Sequence, residues 1–291
     1  MTAAASARPS LDRAATFVWG HARLLERTLF ARRFLAGPAE PVVAALLAYR
    51  NPDGGFGHAL EPDVRSPRSM PLHCEIALRA LQDAGVRHGE IAEGICRFLA
   101  SVAEPSGRVP IVLPGVLDYP HAAHWRVPSA GDSPNPTAGL VGLLRAQGAE
   151  HPWLERAESW CFARLAEPVG EVHQIASFLV FLEHAPERAR AEALALAVAG
   201  QAAKASFYRG DPASESYGVT PLQLCPTPSA RGRGAFDDAL LGAHLAALAA
   251  AQQEDGGWPI SFAPPSPAAV HEWRGRWTLE ALAALRAYGR L

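Results

Sequence analysis

Apolar positions recur at helical spacing along most of the chain, in segments dominated by Ala, Leu and Arg, which favour helices. The pattern predicts helices near 11–34, 38–50, 70–85, 88–103, 135–148, 152–166, 171–185, 187–205, 235–253 and 276–290. Punctuation agrees with it. Ser10 offers a cap with Asp12 in the first turn, and Asp237 or Asp238 offers another before the helix running to Gln253. Pro152 suits a first helical position, Pro186 separates two helices, and Gly85, Gly148 and Gly289 fall at expected helix ends. No segment alternates with period two between hairpin turns, and prolines interrupt the run Val109 to Val116. The expected fold class is all-α.

Link lengths add topology. Short connections pair 70–85 with 88–103, 135–148 with 152–166 and 171–185 with 187–205, and short links make antiparallel neighbours. Long Gly- and Pro-rich loops occupy 51–69, 104–134, 206–234 and 254–275. Stacked helical hairpins follow.

An internal repeat organises these hairpins. One copy reads Asn51-Pro52-Asp53-Gly54-Gly55-Phe56-Gly57, and another reads Gln252-Gln253-Glu254-Asp255-Gly256-Gly257-Trp258. Fainter echoes are Pro105-Ser106-Gly107-Arg108 and Pro168-Val169-Gly170. Each follows a helix and leads to the next. Glycine reaches backbone angles other residues resist, Asp bonds free backbone groups in the turn, and the aromatic ring packs across the helix end.

These strings resemble the Q-x-x-D-G-x-W repeat of squalene cyclases and the D-G-G-F-G repeat of protein prenyltransferase β subunits. The resemblance implies one α/α toroid over 1–291, of about five or six hairpins, with 276–290 meeting 11–34 to close the ring. It also implies that the D-G-G loops and the starts of the inner helices share one end, where the mouth of a central cavity lies.

Composition narrows the function. The 291 residues are 49% hydrophobic and 19% charged, with a net charge of -2 and no basic stripe, so a nucleic-acid partner is not expected. No apolar run is long enough to span a membrane, and the N-terminus lacks an apolar secretory core. Cys74, Cys96, Cys161 and Cys225 are scattered, as in a reducing compartment. A cytoplasmic protein is expected.

Candidate chemistry clusters just before inner helices. One group holds His58, Glu61, Asp63, His73, Cys74 and Glu75. A second holds Asp118, Tyr119, His121, His124 and Trp125, and a third His271, Glu272, Trp273 and Trp277. A carboxylic acid in an apolar setting is held protonated, and aromatic faces stabilise cations. Glu61 and Asp63 are therefore the candidate catalytic acids, with His58, His73, Asp118, Tyr119, His124, Trp125 and Trp273 as candidate substrate-binding groups. The cyclase acid string D-x-D-D does not occur; its nearest relative, Ala235-Phe236-Asp237-Asp238, reads as a helix cap.

The prenyltransferase resemblance implies zinc on Asp, Cys and His. His73, Cys74 and Cys225 are the available donors, without convincing spacing, and no metal site is expected. Arg65 with Arg68, or Arg231 with Arg233, offer grips for a diphosphate, which would bring Mg²⁺ with it; otherwise no cofactor is expected.

The first functional expectation is an isoprenoid-processing enzyme resembling a class II terpene cyclase, in which Glu61 or Asp63 protonates an apolar polyene in a central cavity. The alternatives are a non-catalytic toroid binding a lipid, peptide or protein partner, and a carbohydrate-active hydrolase or lyase. The last is distinguished by carboxylates facing a polar, aromatic-lined cleft.

Overall fold

The computed structural model describes residues 8–125, 127 and 132–291. Part of the 104–134 loop thus lies outside the described residues. The described chain is all-α, with twelve helices: α1 Leu11–His21, α2 Leu24–Phe34, α3 Glu40–Leu47, α4 Pro71–Ala84, α5 Gly89–Val102, α6 Thr137–Ala146, α7 Pro152–Arg164, α8 Val172–Glu183, α9 Arg188–Ala199, α10 Pro221–Leu224, α11 Asp238–Ala250 and α12 Pro267–Ala287. Ser10 and Asp237 act as caps, accepting from the backbone N–H of Arg13 and Leu240.

Four boundaries differ from the sequence pattern. The stretch 11–34 is two helices, because Ala22 and Arg23 are extended, and Gly275 of α12 leaves room for Ala22 to pass. α12 starts at Pro267, nine residues before the expected 276, with Ser266 as its cap. α9 ends at Ala199, followed by a short 3-10 turn. α10 is a single turn held by a reciprocal Thr220–Gln223 capping box, inside the expected loop 206–234.

Even-numbered helices form a circuit. α2 packs on α4, α4 on α6, α6 on α8 and α8 on α10; α10 reaches α12 through α11, and α12 packs back on α2. Each even helix also packs on the odd helix that follows it, with α1 following α12. Six pairs in a closed circuit are compatible with the expected α/α toroid. α6 buries every residue from Thr137 to Leu144, as a helix surrounded by others must. One hydrophobic cluster runs from Ala14 to Leu285.

The repeat explains how neighbouring pairs lock. In the turn after α3, Asn51 N–H donates to Gly55 O at 2.9 Å and Asp53 Oδ1 accepts from Gly55 N–H at 2.9 Å. After α11, Gln253 N–H donates to Gly257 O at 2.9 Å and Asp255 Oδ1 accepts from Gly257 N–H at 3.0 Å. The faint echo after α5 is the same turn. There Glu104 N–H donates to Arg108 O, and Ser106 takes the place of Asp. Val109 N–H then donates to Thr137 Oγ1 just as Trp258 N–H donates to Thr278 Oγ1. Gly54, Gly107 and Gly256 have φ of 88°, 94° and 90°, and each abuts the next odd helix: Gly94 of α5, Ala157 of α7 and Arg13 of α1. The last of these contacts ties the end of the circuit to its beginning.

Candidate functional site

The loop between α3 and α4 carries Glu61 and Asp63 and is braced on both sides. Its residues His58 and Ala59 sit at φ of 56° and 59°, a strained conformation for residues with a side chain. Arg23, at the break between α1 and α2, holds this backbone by donating to Ala59 O at 3.0 Å and Leu60 O at 3.1 Å. Glu26 fixes the guanidinium through two bonds, at 2.9 and 2.5 Å. On the other side Ala122 N–H donates to Asp63 O, and Arg65 N–H to Pro120 O. This pairing docks the 118–125 loop on the acid loop, over a small apolar core of Val64, Met70, Val112 and Val116.

Five of the residues singled out by sequence come together here: Glu61, Asp63, His124, Trp125 and Trp273. Glu61 is 4% exposed and faces Arg276 of α12 at 3.5 Å. Burial pushes its carboxyl up from 4.5 to about 8; Arg276 opposes this and the Asp63 charge adds to it. Asp63 is buried, accepts from Trp273 Nε1 at 2.9 Å, and is raised by burial against that bond. His124 lies near Asp63, meets Trp125 at a tilt of 53° with ring centres 4.6 Å apart, and is lowered by burial. Trp125 Nε1 is buried without a hydrogen-bond partner among the described residues.

The remaining candidates lie apart from this cluster. His58 bonds Asn51 Oδ1 at 2.9 Å and serves the turn. His73 lies in the core against Phe56 O at 3.2 Å, and burial lowers it to about 4. Asp118 pairs with Arg68 at 3.4 Å, both well exposed, and Tyr119 contributes its carbonyl to His121. A zinc does not fit His73 and Cys74. Burial drives the Cys74 thiol far above its ordinary range, and no group of three metal donors occurs among the described residues. The arginines proposed for a diphosphate are engaged: Arg65 with Glu272, Arg231 with the carbonyls of Leu182 and Ala185, and Arg233 with Asp238.

Several site groups escaped the sequence reading. Trp273 meets Phe262 edge-on at 5.2 Å, Phe262 meets Tyr217 at 5.8 Å, and Tyr217 meets Phe207 at 6.0 Å. Tyr217 also stacks on His173 of α8, which is paired with Glu171. Phe207 is exposed at φ 60°, another strained non-glycine position. Asp63 thus lies at one end of a row of aromatic rings contributed by α12, the 254–266 loop and the 206–219 loop, which reaches His173 of α8.

α4 and α12 each carry charges of alternating sign at every fourth residue: Glu75, Arg79 and Asp83, and Glu272, Arg276 and Glu280. Arg79 pairs with Glu75 at 2.6 Å, Arg276 with Glu280 at 2.9 Å, and Asp83 with Arg33 of α2 at 3.0 Å. The two stripes sense each other, since Glu280 and Arg276 both act on Asp83. Burial raises the Asp83 carboxyl, yet its side chain keeps 41% of its surface open, as does Glu280. Two shallow depressions elsewhere, of about 440 and 360 Å³, are lined by α7 with Ser106 and by α2 with α3.

Comparison with protein families finds no match, and neither does comparison with curated proteins. Among solved structures, a crystal structure of a protein from Actinoplanes is similar, at 17% identity and a TM-score of 0.59, covering 96% of this chain and 98% of that one. At that identity the likeness concerns the fold alone.

Proposed function

We propose that this chain is an acid–base enzyme acting on a polar, polyhydroxylated substrate of the carbohydrate class, with Glu61 as the general acid. The observation that carries the reading is the position of Glu61: buried beside Asp63 and Trp273, with a carboxyl pushed up to about 8. A group in that range is protonated near neutrality and is matched to donating a proton there. Asp63, held by the Trp273 indole, is the partner carboxylate. The aromatic row suits the apolar faces of sugar rings. His124, His173 and the Tyr217 hydroxyl suit their hydroxyls.

A second reading rests on the same acid. Isoprenoid processing of the class II cyclase type also needs a protonated carboxyl and aromatic walls, which Trp273, Phe262 and Tyr217 supply. The imidazoles beside Asp63 and Tyr217 and the charged stripes on α4 and α12 favour the polar substrate. Bases quench carbocations, and displacing water from charges costs an apolar ligand affinity.

The test offers purified protein two panels: aryl glycosides of several sugars, and polyprenyl substrates with and without a diphosphate. Turnover confined to glycosides supports the proposal. Turnover confined to polyprenyl compounds overturns it in favour of the second reading. Saturable sugar binding with no turnover overturns the enzymatic part and leaves a binding module.

A further inference from the structure

We propose that Glu171, His173 and Tyr217 form a proton relay in which Tyr217 is a catalytic base, oriented and activated by the other two. The inference deepens the proposed function and rests on it for the identity of the substrate.

The arrangement has the logic of a carboxylate–imidazole–hydroxyl triad. Glu171 is the cap of α8: its Oε1 accepts from His173 N–H at 3.0 Å and is bonded to His173 Nδ1. An ionised carboxylate there places the imidazole proton on Nδ1, and the same contacts hold Glu171 below its ordinary carboxylate range. Nε2 of the neutral ring is then an acceptor, 2.7 Å from the Tyr217 oxygen. The rings of His173 and Tyr217 are stacked, with centres 5.8 Å apart and planes within 19°. One end of this relay is fixed to a helix start, whereas Tyr217 keeps 46% of its surface open and contacts Phe262, the neighbour of Trp273. A purely structural tyrosine would bury its ring; this one keeps its ring open and within the aromatic row, with its hydroxyl on His173.

The direction of transfer follows from the acceptor. Burial and the charges of Glu171, Glu61 and Asp63 push the phenol up to about 12, so Tyr217 keeps its proton at rest and loses it only to His173. Its O–H bond breaks as an N–H bond forms at His173 Nε2. The Tyr217 oxygen takes up the proton of a substrate hydroxyl in the same step, and the phenol is restored. His173 is left as the imidazolium, and one proton has passed from substrate to imidazole. Glu171 balances the imidazolium charge and is a positioning residue.

Two measurements separate the relay from the function it serves. Long-range proton–nitrogen NMR on protein labelled with 15N-histidine reads the His173 tautomer without any substrate. The proposal predicts a neutral ring protonated on Nδ1, with the Nε2 resonance shifted by Tyr217→Phe; a ring protonated on Nε2, or no response, overturns the relay. Where the glycoside panel is turned over, Tyr217→Phe lowers kcat by about 100-fold with KM within about twofold, and Glu171→Gln lowers kcat while altering the His173 tautomer. An unchanged kcat in Tyr217→Phe overturns the catalytic role. Absence of wild-type turnover on both panels overturns the proposed function and the role of Tyr217 in catalysis together, and the NMR result still decides the relay.

Discussion

Replacing Glu61 by Gln tests the site without a substrate, because the carboxyl is coupled to stability. Its folded-state value of about 8 exceeds the ordinary 4.5. Between those values the folded protein retains a proton that the unfolded chain has released, so stability falls as pH rises. The contribution is fully present below 4.5 and is lost once pH passes 8. Each pH unit in the window costs about 1.4 kcal/mol, so about 3 kcal/mol is gone at pH 7 and about 5 at pH 9. Gln keeps the shape and removes the titration. Arg276 is not stranded by the change, because Glu280 still holds it at 2.9 Å. Urea unfolding across pH 5 to 9 should show the variant within about 1 kcal/mol of wild type at pH 5. At pH 9 it should be more stable by about 3 to 5 kcal/mol, or roughly 10 °C in Tm. Parallel curves over the whole range would refute the reasoning and return Glu61 to an ordinary ion pair with Arg276.

Three further outcomes follow from the same structure. Gly256→Ala places a methyl 2.0 Å from Arg13 O at a φ of 90° and should cost about 3 kcal/mol in urea unfolding, whereas Gly20→Ala, with open space around it, should be neutral or stabilising by up to about 1 kcal/mol. Arg23→Met removes the clamp on Ala59 and Leu60 and leaves Glu26 buried without its partner, a loss of about 3 to 5 kcal/mol by the same assay. Trp273→Phe keeps a ring beside Phe262 but deletes the donor to Asp63, so the Asp63 carboxyl should titrate still higher in a 13C NMR titration.

The fold was legible where local chemistry is obligatory. Gly54 and Gly256 occupy backbone angles that few residues tolerate, and Asp53 and Asp255 close their turns, so those copies stand out. The copy at 104–109 was faint because Ser106 replaces Asp and Val109 replaces an aromatic, although the hydrogen bonds are the same. α10 is one turn long and carries no period to detect, and the prolines before α12 masked a start at Pro267. Glu61 and Asp63 were selected by position alone, as carboxylates just ahead of the helix that the structure shows as α4. Arg23 and Arg276 were missed because their roles are ion pairs and carbonyl contacts made across the circuit. The Glu171–His173 pair is local, but its junction with Tyr217 spans 44 residues, which no spacing rule reports.

The central claim is that Glu61 donates the proton in the chemical step, and the most direct measurement is kcat of Glu61→Gln on the glycoside that wild type turns over best. The account predicts a fall of about 100-fold to 10,000-fold with KM little changed, in a protein at least as stable as wild type at neutral pH. A variant retaining wild-type kcat would contradict it.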